Sequence, residues 1–172
     1  MKLPILVAVM LVAGAAVAQE HHKQHGQSPY AGLETRPVKA LNDQQVADLR
    51  AGRGMGLALA AELNGYPGPS HVLELADQLG LSAEQRGRVQ QLYSSMQAEA
   101  IPVGEQLIAH ETALDRLFKE RAITTESLAR TTGLIGQTQG ILRGVHLKYH
   151  LTTTAALTPE QLQRYAELRG YR

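Results

Sequence analysis

Residues 82–121 read SAEQRGRVQQLYSSMQAEAIPVGEQLIAHETALDRLFKER, and residues 124–149 read TTESLARTTGLIGQTQGILRGVHLKY. In the first stretch Val89, Leu92, Met96, Val103, Leu107, Leu114 and Leu117 recur at helical spacing, which puts them on one apolar stripe. Ser82 with Gln85 has the form of a capping box, so the helix is expected to start there, and Pro102 predicts a kink within it. The second stretch places Leu128, Ile135, Leu142, Val145 and Tyr149 close to a heptad spacing, with Thr124 or Thr125 as the cap. A short link makes such helices antiparallel neighbours, so a long hairpin is predicted over about residues 83–152.

Shorter helices are expected on both sides of this hairpin. Asn42 with Gln45 is a further capping box, and Val46, Leu49, Leu57, Ala60 and Leu63 carry a helical pattern as far as Asn64-Gly65. Gly52, Gly54 and Gly56 lie inside it, which predicts a bend or a closely packed neighbour. Tyr66-Pro67-Gly68-Pro69 reads as a turn, after which Ser70 is the expected cap of a short helix that stops at Gly80. Thr158, Pro159 and Gln161 open a closing helix that stops at Gly170. Aromatic residues make up only 4% of the chain, and the apolar positions are mainly Leu, Ala and Val, as helices packed on aliphatic side chains require. The expected fold is therefore all-α, with residues 41–172 as one helical domain.

Composition narrows the function classes. The 172 residues include 17 Lys plus Arg against 16 Asp plus Glu, with no basic run, so nucleic acid is not an expected partner. The absence of Cys removes disulfides, thiolate metal sites and a thiol nucleophile, leaving His, carboxylate and Met as metal ligands. Residues 1–18, MKLPILVAVMLVAGAAVA, carry Lys2, an uncharged apolar run and a small-x-small ending at Ala16-Val17-Ala18. That pattern predicts a cleaved signal peptide, hence export, with cleavage before Gln19. Residues 19–40 are polar, contain His21, His22 and His25, and are expected to form a flexible arm.

Two of the caps read Leu81-Ser82-Ala83-Glu84-Gln85 and Leu157-Thr158-Pro159-Glu160-Gln161, and Leu41-Asn42-Asp43-Gln44-Gln45 is a degenerate third. Copies of Leu-Ser/Thr-x-x-Gln that flank a helical hairpin, in an exported chain without Cys, resemble the Spy/CpxP superfamily of LTxxQ periplasmic proteins. They are similar also to its heavy-metal branch of zinc-resistance-associated and metal-resistance sensor proteins. The resemblance covers about residues 70–172 and does not extend to the glycine-bearing first helix. It implies a periplasmic helical hairpin that pairs into a homodimer and has no enzymatic activity. Its branches hold unfolded periplasmic clients without ATP, damp an envelope-stress kinase, or bind transition metals through His, Glu and Met. A membrane sensor or anti-sigma protein is thus an implied partner.

The metal branch finds support in the residues. His146 and His150 stand one helical turn apart on the second hairpin helix, the spacing by which a helix offers two imidazoles to one ion. Antiparallel pairing is expected to bring Glu99 near His146 and Met96 near His150, a donor set that suits Zn, Ni, Co or Cu. His71, with Glu74 beside it on the short helix, occupies the region where the metal branch carries a His pair. The competing reading makes His146 and His150 hydrogen-bonded flanks of the seam and Met96 plain core filling. A mature start at Gln19-Glu20-His21 would supply an amine, two amides and an imidazole for Cu(II) or Ni(II), with His25 as a further ligand, unless Gln19 cyclises. Holding unfolded clients is the alternative function, for which Arg50, Arg53, Arg86 and Arg143 are candidate rim charges around an apolar surface. No G-x-S-x-G, H-E-x-x-H, Walker loop or dinucleotide fingerprint is present, so an enzyme is not expected.

Overall fold

A computed structural model describes residues 28–171, so the predicted leader and the arm residues Gln19, Glu20, His21 and His25 lie outside the described residues. Helices α1 (Asp43–Arg50), α2 (Leu59–Glu62), α3 (Pro69–Glu74), α4 (Ala83–Lys119), α5 (Thr125–Thr154) and α6 (Pro159–Arg169) follow in chain order, with a 3-10 turn at Leu33–Thr35. The fold is all-α, and among the described residues no strand occurs. No helix among them is long and apolar enough to cross a membrane. Up to Ala31 only a turn is described, closed by the Ala31 N–H donating to the Ser28 carbonyl at 2.9 Å. Gly32 onward forms a separate unit.

Each predicted capping box is made with both reciprocal bonds, by Asn42 and Gln45 on α1, Ser82 and Gln85 on α4, and Thr158 and Gln161 on α6. Every such cap satisfies backbone N–H groups that a helix start otherwise leaves without partners. The glutamines of the two LTxxQ-like motifs also meet each other. Gln85 Nε2 donates to Gln161 Oε1 at 2.9 Å, and Gln161 Nε2 returns a bond to Gln85 Oε1 at 3.0 Å. This amide pair ties the start of α6 to the start of α4.

Helices α4 and α5 form the long antiparallel pair, and α4 runs through Pro102 without a break. The α5 seam differs from the predicted one. Leu128 is 38% exposed, because Ser127 and Thr131 occupy the inward face at that level and place Leu128 to one side. Further along, Ile135, Thr138, Leu142, His146, Tyr149 and Thr153 face inward. Thr131 and Thr138 tolerate burial because each hydroxyl donates to the carbonyl one turn back, both at 2.8 Å. Val38, Leu49, Ala100, Leu107, Ile108, Ile135 and Leu142 form one core along the hairpin. A second core, of Val72, Ala76, Leu79, Leu81, Val89 and Tyr165, lies where α3 and α6 meet the start of α4.

Three expectations for the flanking segments change. The single helix predicted from Asn42 to Leu63 is interrupted between Arg50 and Leu59, where Gly52, Met55 and Gly56 take φ of 63°, 45° and 80°. These left-handed conformations are incompatible with a continuing helix. The short helix α3 is capped by Gly68 instead of Ser70, with Pro69 at its first position, where a missing N–H costs nothing. Residues 32–40, expected to belong to the arm, instead contain the 3-10 turn and bury Val38 to 5% exposure against the hairpin core. Lys39 pairs with Asp115 at 3.3 Å beside it.

Candidate metal centre

The glycine-interrupted segment and α3 fold back over α4 and α5 and roof a cavity of about 210 Å³. Met96 from α4, His146 and His150 from α5, His71 from α3, Glu62 from α2 and Met55 all line it. Of the residues singled out in the sequence, His71, Met96, His146 and His150 are therefore brought to one place. Glu74 is exposed on α3 and is not part of the lining. Glu99 is also elsewhere. Its carboxylate accepts from Lys148 Nζ at 2.5 Å and from the Tyr149 hydroxyl at 2.7 Å, so the register runs further along α5 than expected and places Glu99 away from His146. Paired with these donors, Glu99 is held below the usual carboxylate range, chiefly by Lys148.

The His146 side chain is among the most buried in the molecule, at 2% exposure, and its Nε2 has no hydrogen-bond partner. Burial foremost, and the neighbouring His150 ring, push its pKa below the ordinary imidazole value. A neutral ring with an available lone pair results. Gly54 covers it, with room for a Cβ 3.6 Å from Nδ1. His150 is oriented differently. Its Nδ1 donates to the Tyr66 carbonyl at 2.7 Å, which leaves the lone pair of the neutral ring on Nε2. Gly68 lies against that edge so closely that a Cβ there would stand 2.7 Å from Nε2.

Glu62, which no sequence pattern singled out, is the buried carboxylate of the region, at 4% exposure. It accepts from the hydroxyls of Tyr165 and Tyr171, the second at 3.1 Å, and from the Gly68 N–H at 3.2 Å. His71 Nδ1 stands 3.4 Å from Oε1, His150 Nδ1 3.7 Å from Oε2 and Arg169 Nε 3.9 Å from Oε1. Burial is the largest influence and would raise its pKa. The contacts with His71, Tyr165 and Gly68 together outweigh it and hold the carboxyl at about 2. Burial and the Glu62 carboxylate in turn push the Tyr165 hydroxyl far up, so it remains a donor. Only the charge in the otherwise apolar run Leu57–Leu63 offered a signal for Glu62 in the sequence.

Among the described residues no three His, Asp or Glu side chains converge as a ready-made ligand set for one ion. The donors lining the cavity are instead three imidazoles, two thioethers and the Glu62 carboxylate, and two of the ring nitrogens, His71 Nδ1 and His146 Nε2, have no hydrogen-bond partner, a combination that fits a transition metal softer than calcium or magnesium. No family model, curated protein or solved structure matches this chain, so its function is argued from the cavity itself.

Proposed function

We propose that the protein binds a transition metal in this cavity and senses or buffers that metal in the periplasm, after removal of residues 1–18. The observation that carries the reading is His146, which lines the same cavity as His71, His150 and Met96 and has its Nε2 buried without a partner. A buried nitrogen left unbonded costs on the order of 1–3 kcal/mol, and a metal ion would remove that cost by accepting the lone pair. His150 supports it as well. An imidazole whose other nitrogen donates to a backbone carbonyl is the arrangement that fixes the tautomer of metal-ligating histidines. By resemblance to the LTxxQ proteins, a homodimer is the assembly proposed for it.

Anaerobic calorimetric titration of the exported chain with Zn(II), Ni(II), Co(II), Cu(II) and Cu(I) tests this directly. His146→Leu replaces the orphaned ring by an apolar side chain, so it should fold and yet lose binding, whereas His21→Ala/His25→Ala should retain it. Binding lost only in the arm variant would move the site to the N-terminus and overturn the cavity reading. Binding of no ion by any form would overturn metal binding altogether.

A second reading, holding unfolded clients, is favoured by a different feature. Leu41, Leu49, Leu57, Leu107 and Leu142 line a groove of about 500 Å³ between α1 and α5, with Arg143 at its edge. A groove that exposes Leu41 and Leu57 over a buried apolar floor, with a charged border, suits an extended apolar segment of another chain. Failure of metal-free protein at several-fold molar excess to suppress aggregation of an unfolding client would remove this reading.

A further inference from the structure

The donors in the cavity distinguish between metals, and four observations bear on the choice. First, Glu62 has its lone pairs committed to Tyr165, Tyr171 and the Gly68 N–H, so the one buried carboxylate of the region is engaged in holding the C-terminal helix. Second, His71 faces that carboxylate through Nδ1 at 3.4 Å. The remaining donors are the ring nitrogens turned away from Glu62 and from the Tyr66 carbonyl, among them His146 Nε2, buried without a partner, and the Met96 thioether, which is 5% exposed. Third, Met55 adds a second thioether at the cavity wall, where neither folding nor burial accounts for a methionine. Its φ of 45° is a conformation that glycine adopts at lower cost, and its side chain is 41% exposed.

Fourth, the charge balance matters. The one carboxylate lining the cavity, Glu62, is faced by Arg169 at 3.9 Å, and the imidazoles and thioethers add no negative charge, so a divalent ion held by them would keep most of its charge in a poorly solvating site. A monovalent ion loses much less on entering such a site, and soft, polarisable sulfur favours copper(I) over zinc(II), which prefers four ligands that include anions or several imidazoles. Building on the metal-binding reading above, we propose that the cavity is selective for a soft monovalent cation, copper(I) or its analogue silver(I), held by His146, His150 and Met96 with Met55 at the wall.

Silver(I) is the probe of choice because it neither oxidises nor disproportionates. The full exported chain, labelled with ¹³C at the methionine methyl groups, is titrated with silver(I) and, separately, with zinc(II) and nickel(II). One equivalent of silver(I) is expected to shift the Met96 and Met55 methyl resonances. Met96→Leu, a volume-conserving change that should leave folding intact, is expected to weaken silver(I) binding at least about tenfold, the scale on which even outer-shell partners of a metal act. Tighter binding of zinc(II) or nickel(II), with both methyl groups unmoved, would overturn the selectivity and leave metal binding standing. Silver(I) binding that moves neither methyl would overturn it too, and failure of every ion to bind would overturn both the selectivity and the reading beneath it.

Discussion

Replacing Glu62 by Gln isolates the buried carboxylate that joins α2 to the C-terminal helix. The native group titrates at about 2 against an ordinary value of 4.5, a difference equivalent to roughly 3 kcal/mol of preferential stabilisation of the charged form by folding. Below pH 4.5 the unfolded chain takes up a proton that the native carboxylate accepts only near pH 2, so this stabilisation is complete above pH 4.5 and is lost as pH falls through that interval. Glu62→Gln keeps the shape and one acceptor but removes the charge and points an amide donor at hydroxyls that already donate. The expected cost at pH 7 is about 2–4 kcal/mol, or a Tm lower by about 6–12 °C for a chain of this size. Urea unfolding followed by far-UV circular dichroism at pH 7 and pH 3 is the assay. The gap between wild type and variant should shrink by roughly half at pH 3, because the wild type has by then lost much of the Glu62 contribution. Equal stability at pH 7, with the same acid profile in both proteins, would refute the assignment of Glu62 as the charged tie.

The two glycines over the histidines should behave differently. Gly68→Ala drives a Cβ to 2.7 Å from His150 Nε2 and is expected to cost about 1–3 kcal/mol in urea unfolding, while Gly54→Ala, at an ordinary 3.6 Å from His146, should stay within about 0.5 kcal/mol of wild type. The same measurement separates neighbours on α5. Leu142→Ala, at 2% exposure in the hairpin core, should cost about 2–5 kcal/mol, whereas Ile141→Ala, at 48% exposure, should change stability by less than about 0.5 kcal/mol.

Local signals were read accurately where the interaction itself is local. Asn42 with Gln45, Ser82 with Gln85 and Thr158 with Gln161 each close a box within one turn, and each forms as the spacing predicts. Pro159 and Gly170 likewise bound α6, since fixed φ and left-handed φ are properties of single residues. The glycines of the first helix predict a bend or a closely packed neighbour, but not a complete interruption. A bend and a complete interruption share the same sequence, and the fold-back that packs Gly54 on His146 and Gly68 on His150 selects the interruption.

For the cavity, the helical face shared by His146 and His150 followed from their spacing, and the proximity of Met96 followed from antiparallel pairing. The position of Glu99 did not. A shift of a few residues along α5 is invisible to the apolar pattern, because the seam tolerates Ser127 and Thr131 in place of Leu128 and takes in Thr138 and His146 further along.

The sequence alone determined the all-α class, the helical hairpin and the places where its helices begin, because capping and amphipathic periodicity act over a single turn of chain. Only the tertiary structure decided which charges are spent and which nitrogens are left without a partner. Glu62 meets Tyr165 across 103 positions of chain, and His146 keeps Nε2 without a partner while Gly54 of the glycine-interrupted segment packs over the other edge of its ring. Such contacts depend on the summed packing of several helices, and no local pattern of residues encodes them.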